Sequence, residues 1–179
     1  MDVKSLRIRQ ECPSDYDEVY QLVKTSFATV HIDGSEPDEP DYLNELRKND
    51  TFIPELSLVA ENDDGVLVGQ VVLYKTIITT PQGELIELLL SPICVHPDYF
   101  RRGIARAMID KSLRIAGEMG FKAVFLCGNP EIYRKLGFVP SYRHNIFHKN
   151  DESKTAEWSM VRELYSGSLS NVSGTVDTV

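Results

Sequence analysis

The chain has 179 residues, enough for one domain with a sizeable core, and its 42% apolar and 26% charged content is ordinary for a globular protein. A formal net charge of −8 argues against nucleic acid as the main partner, through a helix-turn-helix or otherwise, because a phosphate backbone attracts basic surfaces. No apolar run approaches the roughly 20 residues that span a bilayer, so no membrane association is expected.

The start, M-D-V-K-S-L-R-I-R, lacks the apolar stretch of a secretory leader. Cys12, Cys94 and Cys127 are an odd number, at positions expected in or near the core, which reads as reduced thiols in a cytoplasmic protein. There is no Cys-x-x-Cys pair, His144 and His148, although at His-x-x-x-His spacing, read as surface residues, and no metal is expected.

Val3 to Arg9 alternates apolar and polar and predicts a first strand. Cys12-Pro13-Ser14-Asp15 opens a helix to about Ala28, with Ser14 or Asp15 as N-cap and Asp17 and Glu18 suiting the positive helix start. Asp33 to Glu45 is the most acidic stretch; it predicts a loop and then a short helix with Tyr42, Leu43 and Leu46. It reads as a solvated acidic loop or as an acidic surface that attracts a cation. Leu56–Glu61 and Val66–Ile78 predict two strands about an Asn62–Gly65 hairpin turn, with Gly69 at a bulge or close approach.

After a turn at Pro81–Gly83, Glu84 to Val95 predicts a long fourth strand, apolar enough to be covered on both faces. It stops at His96-Pro97-Asp98, because Pro97 lacks the N–H a continuing ladder needs. A turn with Arg101, Arg102 and Gly103 leads into a helix whose apolar side carries Ile104, Ala105, Met108, Ile109, Ser112, Ile115, Ala116 and Met119. The first amides of such a helix have no intrahelical partner, and the macrodipole there is positive, so strand, turn and helix form an anion seat. The turn is neither G-x-G-x-x-G nor G-x-x-x-x-G-K-S/T, so no dinucleotide fingerprint or P-loop is present.

Ala123–Cys127 predicts the fifth strand, and Pro130–Leu136 a short helix closed by Gly137. Phe138–Tyr142 and Thr155–Leu164 predict the last two strands. Ser166–Val179 reads as a flexible tail, giving one domain over residues 1–165 and a tail over 166–179.

The stretch Phe100-Arg101-Arg102-Gly103-Ile104-Ala105, preceded by V-H-P-D-Y, resembles the Q/R-x-x-G-x-G/A signature of the GNAT superfamily of acyl-CoA-dependent N-acetyltransferases. Downstream, N-P-E-I-Y-R-K-L-G-F resembles the family's second landmark, at the usual distance. Phe100 departs from the pattern, standing where the family has Gln or Arg. The element order β-α-α-β-β-β-α-β-α-β-β also matches. The resemblance implies an α/β fold with a mixed, mainly antiparallel sheet, helices on both faces, and fourth and fifth strands that splay apart.

It further implies acetyl transfer from acetyl-CoA to a primary amine by direct attack. Ile93, Cys94 and Val95 would pair by their backbone with the pantetheine, and an amide near Cys94 or Val95 would donate to the oxyanion. The N–H groups of Arg101, Arg102, Gly103, Ile104, Ala105 and Arg106 would hold the pyrophosphate. Tyr133 would lie near the CoA sulfur and protonate the thiolate, or else pack with its hydroxyl capping the backbone. Asn129 would contact the cofactor, cap the helix from Pro130, or both.

Glu87 shares strand parity with Leu89, Ser91, Ile93 and Val95; it reads as a general base with a raised pKa or as a strand residue paired with Arg or Lys. His96 is a rival base that more simply belongs to its turn, and His144 and His148 read as surface residues. A second function keeps the fold but not the turnover: an acyl-CoA-binding sensor. The acceptor amine is open, and a homodimer is compatible with the sequence.

Overall fold

The structure, a computed structural model, describes residues 6–31 and 35–178. The start of the predicted first strand at Val3, and Asp33 and Gly34 of the acidic stretch, lie outside the described residues. The elements are β1 (Arg7–Gln10), α1 (Tyr16–Phe27), α2 (Glu39–Leu46), β2 (Phe52–Glu61), β3 (Leu67–Thr80), β4 (Gly83–Val95), α3 (Ile104–Glu118), β5 (Ala123–Cys127), α4 (Pro130–Tyr133), β6 (Val139–Pro140), β7 (Ile146–His148), β8 (Ser159–Glu163) and β9 (Gly174–Val176). In hydrogen-bonded order the strands run β1-β2-β3-β4-β5-β8-β6, with β9 joining β3 to β7 off this path. The sheet is mixed: β4 and β5 are parallel, as are β7 and β9, while β1–β2, β3–β9, β5–β8 and β6–β8 are antiparallel. Two compact units are distinguished, residues 1–73 with 91–112 and residues 74–90 with 113–179, so β3, β4 and α3 each contribute to both.

In the first unit, α1 buries Val19, Leu22 and Val23, and α2 buries Leu43 and Leu46. Asp15 does not cap α1 with its side chain. Its carboxylate accepts from the Cys12 amide at 2.8 Å and from both terminal Arg9 guanidinium nitrogens at 2.7 and 3.0 Å, and the hydrogen bonds from Arg9 hold it well below the usual carboxylate range. Glu11 and Arg47 form a buried pair, with Ser57 donating to Glu11 at 2.7 Å and the Arg47 guanidinium 4.0 Å from the Tyr16 ring centre. Asn62 closes the β2–β3 hairpin by accepting the amides of Asp64 and Val66 at 3.0 and 2.9 Å, with Gly65 at φ +80°. Gly69 marks a close approach: a β-carbon there would sit 2.8 Å from Met108 Cε, on α3.

In the second unit, Val124, Phe125 and Leu126 of β5 are buried, as are Met160 and Val161 of β8 beside them. Several sequence expectations are corrected here. The predicted strand at 138–142 is only β6, because the chain turns into a 3-10 segment, Ser141–His144, ended by Asn145 at φ +59°. Ile146–His148 is a strand the periodicity did not mark, and His148 is buried at 5% exposure rather than at the surface.

The expected flexible tail instead carries β9. Val176 stands opposite Ile78 and Thr175 opposite both Thr79 and Phe147, and Val176 is fully buried. A polar composition does not prevent this, because backbone pairing along two strand edges needs no large side chains. Met119, placed on the apolar side of its helix, is 45% exposed, and Leu113 is buried. Cys12 and Cys127 are exposed, and only Cys94 is buried among the thiols.

Candidate active site

The first unit carries the end of β4 and the turn into α3. The parallel ladder joins Leu88 to Val124 and Leu89 to Phe125, and β4 runs on past it to Val95. Pro92 lies in that extension and has no N–H to give a ladder. Ile93 and Val95 are half-buried, and Cys94 is buried. Burial pushes the Cys94 thiol up to about 12, against hydrogen bonds from the Ser26 side chain and the Gln70 amide. Such a thiol is inert as a nucleophile.

The turn that follows is braced by its own residues. His96 Nδ1 accepts the Asp98 amide at 3.3 Å, so this histidine is part of the turn. Asn62 donates to the Tyr99 hydroxyl at 3.2 Å, and Arg102 lies 5.0 Å from the Tyr99 ring centre while donating to the Asp98 carbonyl at 2.8 Å. Arg101 at φ +59° and Gly103 at φ +80° are both left-handed. A non-glycine residue held in that region is strained and marks a site the surroundings enforce. The amide of Ala107 reaches the Gly103 carbonyl at 3.0 Å. Among the described residues, no main-chain carbonyl takes the amides of Arg101 to Ala105. Phe100, at the departure from the signature, is 48% exposed.

The second unit carries the other landmark. Asn129 caps α4, its Oδ1 accepting the Glu131 amide at 2.9 Å. Gly137 ends the following 3-10 turn at φ +83°. The Tyr133 ring packs edge-on to Phe138, with centres 5.9 Å apart, and so close to the backbone of Gly128 that a β-carbon there would fall 2.3 Å from Tyr133 Cε2. No described residue accepts from its hydroxyl. The alternative of a backbone-capping phenol is therefore not what the fold uses. Burial raises the Tyr133 pKa above 10.0.

Glu87 is 4% exposed. Its Oε2 accepts the amides of Lys122 and Ala123 at 2.8 and 3.2 Å, at the start of β5. Burial raises its pKa, and those two amides pull it back. The expected Arg or Lys partner is thus replaced by main-chain donors.

The acidic stretch is internally engaged: Asp41 accepts from Tyr20 at 3.1 Å, Glu39 faces His31 at 3.3 Å and Glu36 faces Lys24 at 3.6 Å. Those partners favour the structural reading over a lining awaiting a cation. Among the described residues no group of His, Cys, Asp and Glu is arranged to hold a metal ion, and no helix is long and apolar enough to cross a membrane. Sequence reasoning passed over Gln70, whose only signal was an amide side chain inside the apolar run L-V-G-Q-V-V-L.

The sequence profile of the acetyltransferase (GNAT) domain matches residues 7–141. The chain belongs to the GNAT acetyltransferase family. A GNAT N-acetyltransferase of Escherichia coli, YhbS, solved in complex with CoA, is 25% identical and superposes with a TM-score of 0.82 over 97% of this chain and 89% of that one. A GNAT acetyltransferase of Brucella melitensis, solved in complex with acetyl-CoA, shares the fold at 24% identity, with a TM-score of 0.73 over 96% of this chain and 94% of that one. YjhQ of Escherichia coli (strain K12), an uncharacterized N-acetyltransferase, is 26% identical over 102 residues, which span 57% of this chain and only 56% of that relative. The order of elements in this chain runs β-α-α-β-β-β-α-β-α before the C-terminal strands.

Proposed function

We propose that this GNAT protein transfers an acetyl group from acetyl-CoA to a primary amine of its acceptor by direct attack. The observation that carries the reading is the run of amides from Arg101 to Ala105, without main-chain acceptors among the described residues, at the start of α3 after a turn with two left-handed residues. Amides so exposed at a helix start favour a phosphate. Solved relatives with CoA and acetyl-CoA support the same choice of donor.

In this reading the amides from Arg101 to Arg106 hold the pyrophosphate, and the backbone of Ile93, Cys94 and Val95 pairs with the pantetheine. A β4 amide near Cys94 or Val95 stabilises the oxygen that becomes negative. Acetyl-CoA supplies the activated thioester. Tyr133 carries the proton that the thiolate takes up; with a thiol pKa of about 8.5 this help is useful rather than essential. Asn129, while capping α4, faces the cofactor. Glu87, the base the sequence offered, has its Oε2 committed to two amides at the start of β5. It stands seven residues before Cys94 on a strand that rises about 3.3 Å per residue, too far for direct or single-water contact with the acyl group, so no side chain is assigned as base.

The sensor alternative draws on Phe100, where a polar side chain is usual, and it predicts binding without turnover. A steady-state assay of free CoA release over a panel of amines tests the proposal. Turnover that falls in Tyr133→Phe supports it; acetyl-CoA binding with no turnover on any amine and no effect of Tyr133→Phe selects the sensor.

A further inference from the structure

Gln70 is fully buried on β3, and neither its Oε1 nor its Nε2 has a hydrogen-bond partner among the described residues. An orphaned buried polar atom is costly, and this side chain has two. Its neighbours on the same strand face, Val68 and Val72, are buried valines, so a leucine or methionine would fill the position without that penalty.

The direction of the side chain follows from the strand. Gly69 faces α3, where a β-carbon would meet Met108 and Ile104, so Gln70 points off the opposite face. The amide of His96 reaches the carbonyl of Val68 at 2.9 Å, and counting back along this antiparallel pair puts Gln70 opposite Cys94. Ser26, one residue from the end of α1, hydrogen-bonds to the same Cys94. The unpaired carboxamide thus stands on the first unit's sheet beside the strand assigned to the acyl group, under the last turn of α1.

We propose that Gln70 is a specificity-determining residue for the acceptor. Its Oε1 accepts from the amine nitrogen, and its Nε2 donates to an oxygen two or three bonds away on the same molecule. The acceptor class is therefore an amine bearing a nearby hydroxyl or carbonyl, rather than a plain polyamine. The proposal rests on the acetyltransferase reading above, and it requires the last turn of α1 to yield when the acceptor enters. A helix end is the part of a helix most able to open.

The test compares kcat/KM for ethanolamine, glycinamide and an aminoglycoside with that for 1,4-diaminobutane, in wild type and Gln70→Leu. The melting temperature of each free protein and its shift with acetyl-CoA are measured alongside. Wild type is expected to prefer the oxygen-bearing amines by about tenfold or more, the span of one to two hydrogen bonds to a matched group. Gln70→Leu should lose that preference, melt at the same or a higher temperature, and keep its acetyl-CoA shift. An unchanged preference in Gln70→Leu overturns the proposal. So does a lower melting temperature with unchanged kinetics, which assigns the carboxamide to a buried water. Wild type that turns over none of these amines sinks the acetyltransferase reading itself, whereas active wild type with an indifferent Gln70→Leu sinks only the role of Gln70.

Discussion

Tyr133 and Gly128 are mutually constrained: the tyrosine ring occupies the space where a β-carbon at Gly128 would lie, 2.3 Å from Cε2 and 2.8 Å from Cδ2. Glycine at 128 is therefore what lets the Cδ2–Cε2 edge of the ring lie against the end of β5. Gly128→Ala is expected to push the ring aside. If the phenol delivers a proton, Gly128→Ala and Tyr133→Phe should each lower kcat, by about tenfold to a hundredfold, the low end for general acid help to a good leaving group. The acetyl-CoA thermal shift should survive in Tyr133→Phe. Equal kcat in all three proteins removes Tyr133 from the chemistry.

Gly103 adopts φ +80°, so most replacements strain the turn as well as crowd the anion seat. Two variants separate the effects. Gly103→Asn suits a left-handed backbone and should keep most of the acetyl-CoA stabilisation. Gly103→Glu, with a bulky anion, should lose it. Equal stabilisation of Gly103→Glu and wild type by acetyl-CoA places the diphosphate elsewhere.

For Glu87 the pKa is raised above 4.5, with burial as the cause. A raised folded-state value means that folding favours the protonated form. Its contribution to stability is complete below about 4.5 and is lost as pH rises through the folded value. Glu87→Gln keeps an acceptor oxygen for Lys122 and Ala123 without the buried charge. It should melt above wild type near neutral pH, with the gap closing toward about pH 4. Because Glu87 stands too far from the acyl group to be its base, the same variant should keep its turnover at neutral pH. Thermal melts and pH–rate profiles check the two expectations separately.

The Glu11–Arg47 pair is nearly inaccessible, with side chains 1% and 5% exposed. Arg47→Met leaves the Glu11 carboxylate buried with Ser57 as its remaining polar side-chain contact. The expected cost is about 3–5 kcal/mol, the range for breaking a buried pair by removing one partner. The midpoint of urea denaturation measures it. A Glu11→Gln, Arg47→Met double variant should recover part of the loss, because the stranded charge is gone.

Ending the chain after Ser173 removes β9 and uncovers the edge of β3 at Ile78, a residue now fully buried. A lower melting temperature is expected, since burying Val176 alone is worth about 1.5–3 kcal/mol. A flexible tail would leave the melt unchanged.

Residues close together in the chain carried most of what could be read in advance. Pro97 ended β4, Gly103 and the spacing of Ile104, Met108 and Ile109 started α3, and Asn129 and Gly137 bracketed the short helix around Tyr133. Each is a local matter of missing N–H groups, positive φ or helical period, so the family resemblance could rest on them. Tertiary structure alone decided the rest. Glu87 met the amides of residues 122 and 123, His148 was drawn under Thr178 and Trp158, and Val176 found Ile78. Those partners are ten to almost a hundred residues apart, and pairing by backbone amides leaves almost no trace in side-chain pattern. Gln70 belongs with them, since only the folded sheet shows its side-chain oxygen and nitrogen without a partner among the described residues.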